Sequence, residues 1–224
     1  MTPSTPVVLL HGLATSSART WGENGWLDLL ADAGREAVPI DILGHGTAER
    51  PHDPAAYADL EGYVADRLPD GPVDAVGFSL GARLLLGLAI DRPDRFRRIV
   101  TLGVGRNLFE NSGSDAIVAA LEAGGDPTNP VAAYFARLAD HPDADRGALI
   151  ACLQAPLRLL TAEACAKVSA SVLVVIGARD FAGPGDPLVD ALPDARLVVL
   201  PGADHFSTPK DFGAIDATLR FLEG

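Results

Sequence analysis

The chain has 224 residues, a formal net charge of −12 at pH 7 and 48% apolar residues. That apolar share can fill a sizeable core, while the acidic balance speaks against nucleic acid or an anionic membrane as partner. Two cysteines, Cys152 and Cys165, cannot make a disulfide framework, and the N-terminal stretch reads as neither signal peptide nor membrane span, so a soluble cytoplasmic protein is expected.

In chain order, apolar runs at 6–10 (PVVLL), 36–42 (EAVPIDI), 73–78 (VDAVGF), 98–104 (RIVTLGV), 171–177 (SVLVVIG) and 195–201 (ARLVVLP) read as strands. None alternates with polar residues, the pattern of strands covered on both faces in a parallel sheet. Helical patterns lie at 23–33, 54–68, 80–92, 187–192 and 209–223. In the last of these, Phe212, Ile215, Leu219 and Leu222 are expected on one face. Strand–helix alternation of this kind specifies an α/β fold with a mainly parallel sheet.

One segment breaks the alternation. Residues 106–168 are too many for a loop without structure of its own. Helical patches near 114–123, 130–139 and 145–153 are broken by Pro127, Pro130, Pro142 and Pro156. The reading is a small helical lid at 106–168 over a core formed by 1–105 and 169–224.

The sequence Gly77-Phe78-Ser79-Leu80-Gly81 stands where a buried strand meets a leucine-rich helix. G-x-S-x-G at such a junction is a nucleophile elbow: the turn is so tight that the positions two before and two after the serine must be small. A serine hydroxyl needs a base to attack at neutral pH. Of five histidines, His205 follows the last strand and fits best; His11, His45, His52 and His141 sit in less suitable places. The base needs an orienting acid, and Asp180 lies just beyond the fifth strand. Asp186, beside Pro187, reads as a helix cap, and Asp204 as pointing elsewhere.

Taken together, HGLA at 11–14, DILGHG at 41–46, GFSLG at 77–81, GARD at 177–180 and ADH at 203–205 resemble the α/β-hydrolase superfamily, in register along the chain. The resemblance implies a triad of Ser79, Asp180 and His205 and an oxyanion hole from the backbone N–H groups of Leu13 and Leu80. His11 and His45 would only shape loops. Ten residues precede His11, too few for the two opening strands of the usual fold, so a reduced six-stranded sheet in the order 2-1-3-4-5-6 is expected.

Such a site implies attack on the carbonyl of a small ester or related acyl compound. Phe78, Arg83, Phe109, Tyr134, Phe135 and Phe206 are candidates for the pocket. Arg83, one turn beyond the serine, fits either a structural ion pair or recognition of a carboxylate. GFSLGAR also resembles the elbow of the MenH synthase, a lyase that keeps the hydrolase triad. A non-catalytic ligand-binding member of the fold is the remaining alternative. No metal-ligand spacing and no dinucleotide-binding glycine loop is present, so neither metal nor cofactor is expected.

Overall fold

The computed structural model describes residues 5–110, 114–125 and 128–224, so the predicted helix breaker Pro127 lies outside the described residues. Six strands, β1 (Val7–Leu10), β2 (Ala37–Ile40), β3 (Val73–Phe78), β4 (Phe96–Leu102), β5 (Ser171–Gly177) and β6 (Ala195–Leu200), form one sheet. Every pairing is parallel and the order is β2-β1-β3-β4-β5-β6. The sequence reading expects all six strands to be covered on both faces, and the structure bears this out only for the inner ones, β1, β3, β4 and β5, since an outer strand has a neighbour on one side alone. The outer strands β2 and β6 are only half covered, and Val199 on β6 is 49% exposed.

Helices cover both faces. Helices α1 (Trp26–Asp32) and α9 (Phe212–Glu223) pack on one side, where Trp21, Trp26, Val76, Val100 and Val175 form a buried cluster. Trp26 meets Trp21 edge-on at 5.3 Å, and its indole N–H donates to the Pro209 carbonyl at 2.8 Å, which satisfies its polar atom. Helices α2 (Leu60–Ala65), α3 (Leu80–Asp91) and α8 (Asp186–Ala191) cover the other side, with α3 at the centre. Leu85 and Leu86 of α3 are wholly buried; truncating either to alanine would cost about 2–5 kcal/mol in transfer and cavity terms.

The long segment before β5 contains α4 (Asp115–Ala123), α5 (Pro130–Leu138), α6 (Arg146–Gln154) and α7 (Ala162–Cys165). The first three share a small core of their own, built on Leu121, Phe135 and Leu149 with Ala14 of the sheet-edge loop beneath. The division drawn at residue 168 is too coarse. Leu160, Cys165 and Val168 join the main core, because the chain is already returning to the sheet there.

Phe212 also departs from expectation. It is 85% exposed, whereas Ala214, Ile215, Thr218 and Leu222 form the buried face of α9. Leu219 lies at the margin of that face, and Phe212 stands about a sixth of a turn beyond Ile215 at the helix start.

Candidate active site

The elbow is built on two close approaches. A Cβ on Gly77 would lie 2.6 Å from the backbone of Ala82, and one on Gly81 would lie 2.6 Å from the His11 carbonyl oxygen. Both positions therefore accept only glycine. Between them Ser79 adopts φ 51°, ψ −109°, a region that costs a residue with a Cβ of order 1–3 kcal/mol. The surrounding backbone holds it there: Ser79 N–H donates to Leu102 O at 2.9 Å, and Gly81 N–H to His11 O at 3.1 Å.

The structure brings Ser79, His205 and Asp180 together at the carboxyl ends of β3, β6 and β5. His205 Nε2 lies 3.0 Å from Ser79 Oγ, and its Nδ1 lies 2.9 and 3.1 Å from the two Asp180 oxygens. With Nδ1–H donating to the carboxylate, Nε2 is left as the acceptor for the serine proton. Asp180 Oδ1 also accepts from Ala182 N–H at 2.8 Å, so its carboxylate is fixed from two sides. The other candidates for the acid fall away. Asp204 caps Ser207, accepting from its N–H at 2.9 Å. Asp186 is exposed in the first turn of α8 and makes no cap hydrogen bond, which corrects its reading as a cap.

His205 is 2% exposed and is walled by aromatic rings. The Phe181 ring lies 4.2 Å from it, Phe78 5.1 Å and Phe206 5.3 Å. Gly103, at φ 68°, leaves room for the imidazole, since a Cβ there would lie 3.1 Å from the ring and 3.0 Å from Phe78. Sequence reading misses both Phe181 and Gly103. The available signal was their position, one directly after the acid and the other directly after β4.

Leu80 is the first residue of α3, so its N–H has no acceptor within the helix. Leu13 follows Gly12, whose absent side chain leaves space for the Phe78 ring. Leu13 and Leu80 both line the cavity that contains Ser79. His11 and His45 shape the loops beside them. His11 Nδ1 donates to Gly12 O at 2.7 Å and its Nε2 accepts from Ile42 N–H at 3.0 Å. Because Nε2 accepts that hydrogen bond, it turns no proton toward Asp41 3.6 Å away, and burial lowers the pKa of the ring. His45 donates to Leu43 O, and burial lowers its pKa to about 3.

Two cavities meet at Ser79. The larger, about 370 Å³, is lined by Leu13, Arg83, Val104, Ile117, Phe135 and Leu153 among others. The smaller, about 130 Å³, is lined by Thr15, Phe78, Tyr134, Leu138, His205 and Phe206 among others. Tyr134 stacks on Phe206 at 3.6 Å. Phe109 lines neither cavity; it packs half-buried against the main core because the chain is still leaving the sheet at that point. Arg83 makes no ion pair among the described residues. Its guanidinium donates to the carbonyls of Asn107 at 3.2 Å and Arg158 at 3.3 Å, and burial lowers its pKa. Among the described residues no group of three His, Cys, Asp or Glu side chains is placed to hold a metal ion, and no helix is long and apolar enough to cross a membrane.

A parallel sheet with this strand order, carrying a serine on a strained elbow and a histidine and an acid at neighbouring strand ends, defines the α/β-hydrolase class. A family model described as the alpha/beta hydrolase family matches residues 7–215, and the chain belongs to that family.

Among curated relatives, 2-hydroxy-6-oxo-2,4-heptadienoate hydrolase of Pseudomonas putida is 34% identical over 121 residues, 50% of this chain and 42% of that one. The chain thus spans less than half the length of that relative. Pimeloyl-[acyl-carrier protein] methyl ester esterase of Neisseria meningitidis is 30% identical over 97% of this chain and 93% of its own. A Bacillus subtilis protein, described as putative 2-succinyl-6-hydroxy-2,4-cyclohexadiene-1-carboxylate synthase, is 31% identical over 43% of this chain and 35% of its own. It bears out the weaker resemblance of the elbow to MenH. Of solved structures, a putative non-heme bromoperoxidase from Mycobacterium tuberculosis has a TM-score of 0.74 at 22% identity, covering 98% of this chain and 92% of that one. At that identity the likeness is one of fold.

Proposed function

We propose that this α/β-hydrolase is a serine hydrolase that cleaves a carboxylic ester, or a related acyl bond, of a small and partly apolar substrate. The observation that carries the reading is the hydrogen-bonded chain from Ser79 Oγ through His205 to Asp180. His205 Nε2 takes the hydroxyl proton as Ser79 Oγ attacks the carbonyl carbon. The N–H groups of Leu13 and Leu80 receive the developing oxyanion, and Asp180 stabilises the imidazolium. The leaving group departs with the proton from His205, and water repeats the sequence on the acyl-enzyme.

Helices α4 to α6 act in this reading as the lid that walls the acyl pocket. Arg83 is a half-buried cation on that wall, without a carboxylate partner among the described residues, which supports an acidic group in the acyl part of the substrate. The two unbridged, buried thiols support a reducing compartment such as the cytoplasm.

A fluorophosphonate probe followed by peptide mass analysis tests the reading. Ser79 should carry the label, and Ser79→Ala should lose on the order of 10⁶ in kcat. Labelling of another serine, or retained turnover in Ser79→Ala, would remove it. The partial match to a synthase, together with Arg83, favours a lyase as the second reading. Ester turnover at ordinary enzymatic rates would exclude a purely lyase role. A non-catalytic binder would bind a ligand yet resist the probe.

A further inference from the structure

We propose that the two cavities divide the substrate unequally: the acyl group occupies the larger, and a short leaving group the smaller. The proposal rests on the serine-hydrolase reading above. When Ser79 Oγ bonds to the carbonyl carbon, that carbon becomes tetrahedral. One substituent is Oγ and one is the oxyanion, held by the Leu13 and Leu80 N–H groups. The acyl chain and the leaving group must then extend in different directions.

The direction of the leaving group is set by its proton. As the bond from carbon to the leaving oxygen breaks, its electron pair goes to that oxygen. The oxygen then takes from His205 Nε2 the proton that came from Ser79. The donor must therefore face the leaving atom. His205 lines the smaller cavity, together with Phe78 and Phe206. On the other side Phe181 lies against the imidazole at 4.2 Å and lines the larger cavity, so it screens His205 from that space. The leaving oxygen consequently points to the smaller side. Water later enters from there and gives a proton to Nε2 as its oxygen bonds to the acyl carbon; the bond from that carbon to Ser79 Oγ then breaks, Oγ takes the proton back from Nε2, and the acid leaves.

The sizes of the two spaces turn this direction into selectivity. About 370 Å³ falls in the range of small-molecule sites, whereas about 130 Å³ is well below it. The wall of the larger space is mainly apolar, with Val104, Ile117, Val131 and Leu153 facing it. Thr15, Arg19, Asn24 and Lys210 give the smaller space a polar rim. The favoured class is an ester of a short alcohol that carries most of its bulk in the acyl part.

The test uses the full chain and two series of aliphatic esters. Methyl esters from acetate to octanoate vary the acyl half, and butyrates from methyl to hexyl vary the alcohol half. Leu153→Trp narrows the larger cavity and Leu138→Trp the smaller. Leu153→Trp should lower kcat/KM for methyl octanoate at least tenfold relative to methyl acetate, and leave the alcohol series unchanged in shape. Leu138→Trp should do the reverse.

If either tryptophan variant loses its circular dichroism spectrum, Ile117→Phe and Thr15→Leu repeat the comparison. Swapped responses, or both variants acting on one series, or no discrimination in either, would overturn the division while fluorophosphonate labelling of Ser79 persists. Loss of labelling in the wild type would instead overturn the serine-hydrolase reading.

Discussion

Replacing Gly81 by alanine tests how the elbow is held against the end of β1. The new Cβ would stand 2.6 Å from His11 O and 2.6 Å from Leu10 C, and both are backbone atoms with no rotamer to turn aside. Ordinary contact begins near 3.4 Å, and Leu10 O stands closer still, so the start of α3 must move by about 1 Å from the end of β1 and the His11–Leu13 loop. Overpacking of this kind costs about 1–3 kcal/mol. The same displacement separates Leu13 from Leu80 and Ser79, which are proposed to act on one carbonyl. A misplacement near 1 Å can cost about 10²-fold in rate. Gly81→Ala should therefore lower kcat/KM on methyl butyrate by about 10² and reduce the melting temperature by several degrees. Gly202→Ala is the control, since nothing lies within 4 Å of a Cβ there. A Gly81→Ala enzyme within threefold of wild type at an unchanged melting temperature would refute the packing argument.

Asp180→Asn should cost roughly 10⁴ in kcat, by the analogy of the protease triad, because an amide can no longer fix the His205 tautomer; Asp186→Asn and Asp204→Asn, compared in the same kcat assay, should lose less than tenfold. Arg83→Met should raise KM for substrates with an acidic acyl end far more than for neutral ones, with kcat little changed, as steady-state kinetics on a matched pair of esters would reveal. His45 supplies a pH dependence of stability: its folded pKa is about 3, below the ordinary 6.5. The unfolded chain therefore binds the extra proton between those values, and this group's contribution is complete above pH 6.5. It is lost as pH falls toward 3, at up to about 1.4 kcal/mol per pH unit. Urea melts of wild type and His45→Gln between pH 7 and 4 should show the steeper decline in the wild type.

Much of this was legible because chemistry and geometry coincide in the sequence. A serine between two glycines, at a strand end, has few structural uses, and the structure puts both glycines against backbone. Asp180 and His205 could be picked because the ends of parallel strands lie on one edge of a sheet. What escaped reading depends on contacts between distant segments. Phe181 touches His205 across 24 positions, and no periodicity reports such a pair. Arg83 could not be assigned, since its two carbonyl partners come from residues 107 and 158. Phe212 satisfies the helical spacing yet faces solvent, because α9 meets the sheet through a face centred elsewhere. Cys165 and Val168 read as part of the lid because a return to the core leaves no mark in composition.

Ser79 and His205 are 126 positions apart, and among the described residues β6, which delivers the histidine, pairs only with β5. During synthesis the serine and its elbow leave the ribosome long before their base exists. Until β6 is laid down, β5 is an apolar edge without a neighbour, open to pairing with another chain. The strand that delivers His205 also protects that edge. Ester turnover in a nascent or refolding population would then count molecules that have finished the sheet, and its onset should coincide with the loss of aggregation.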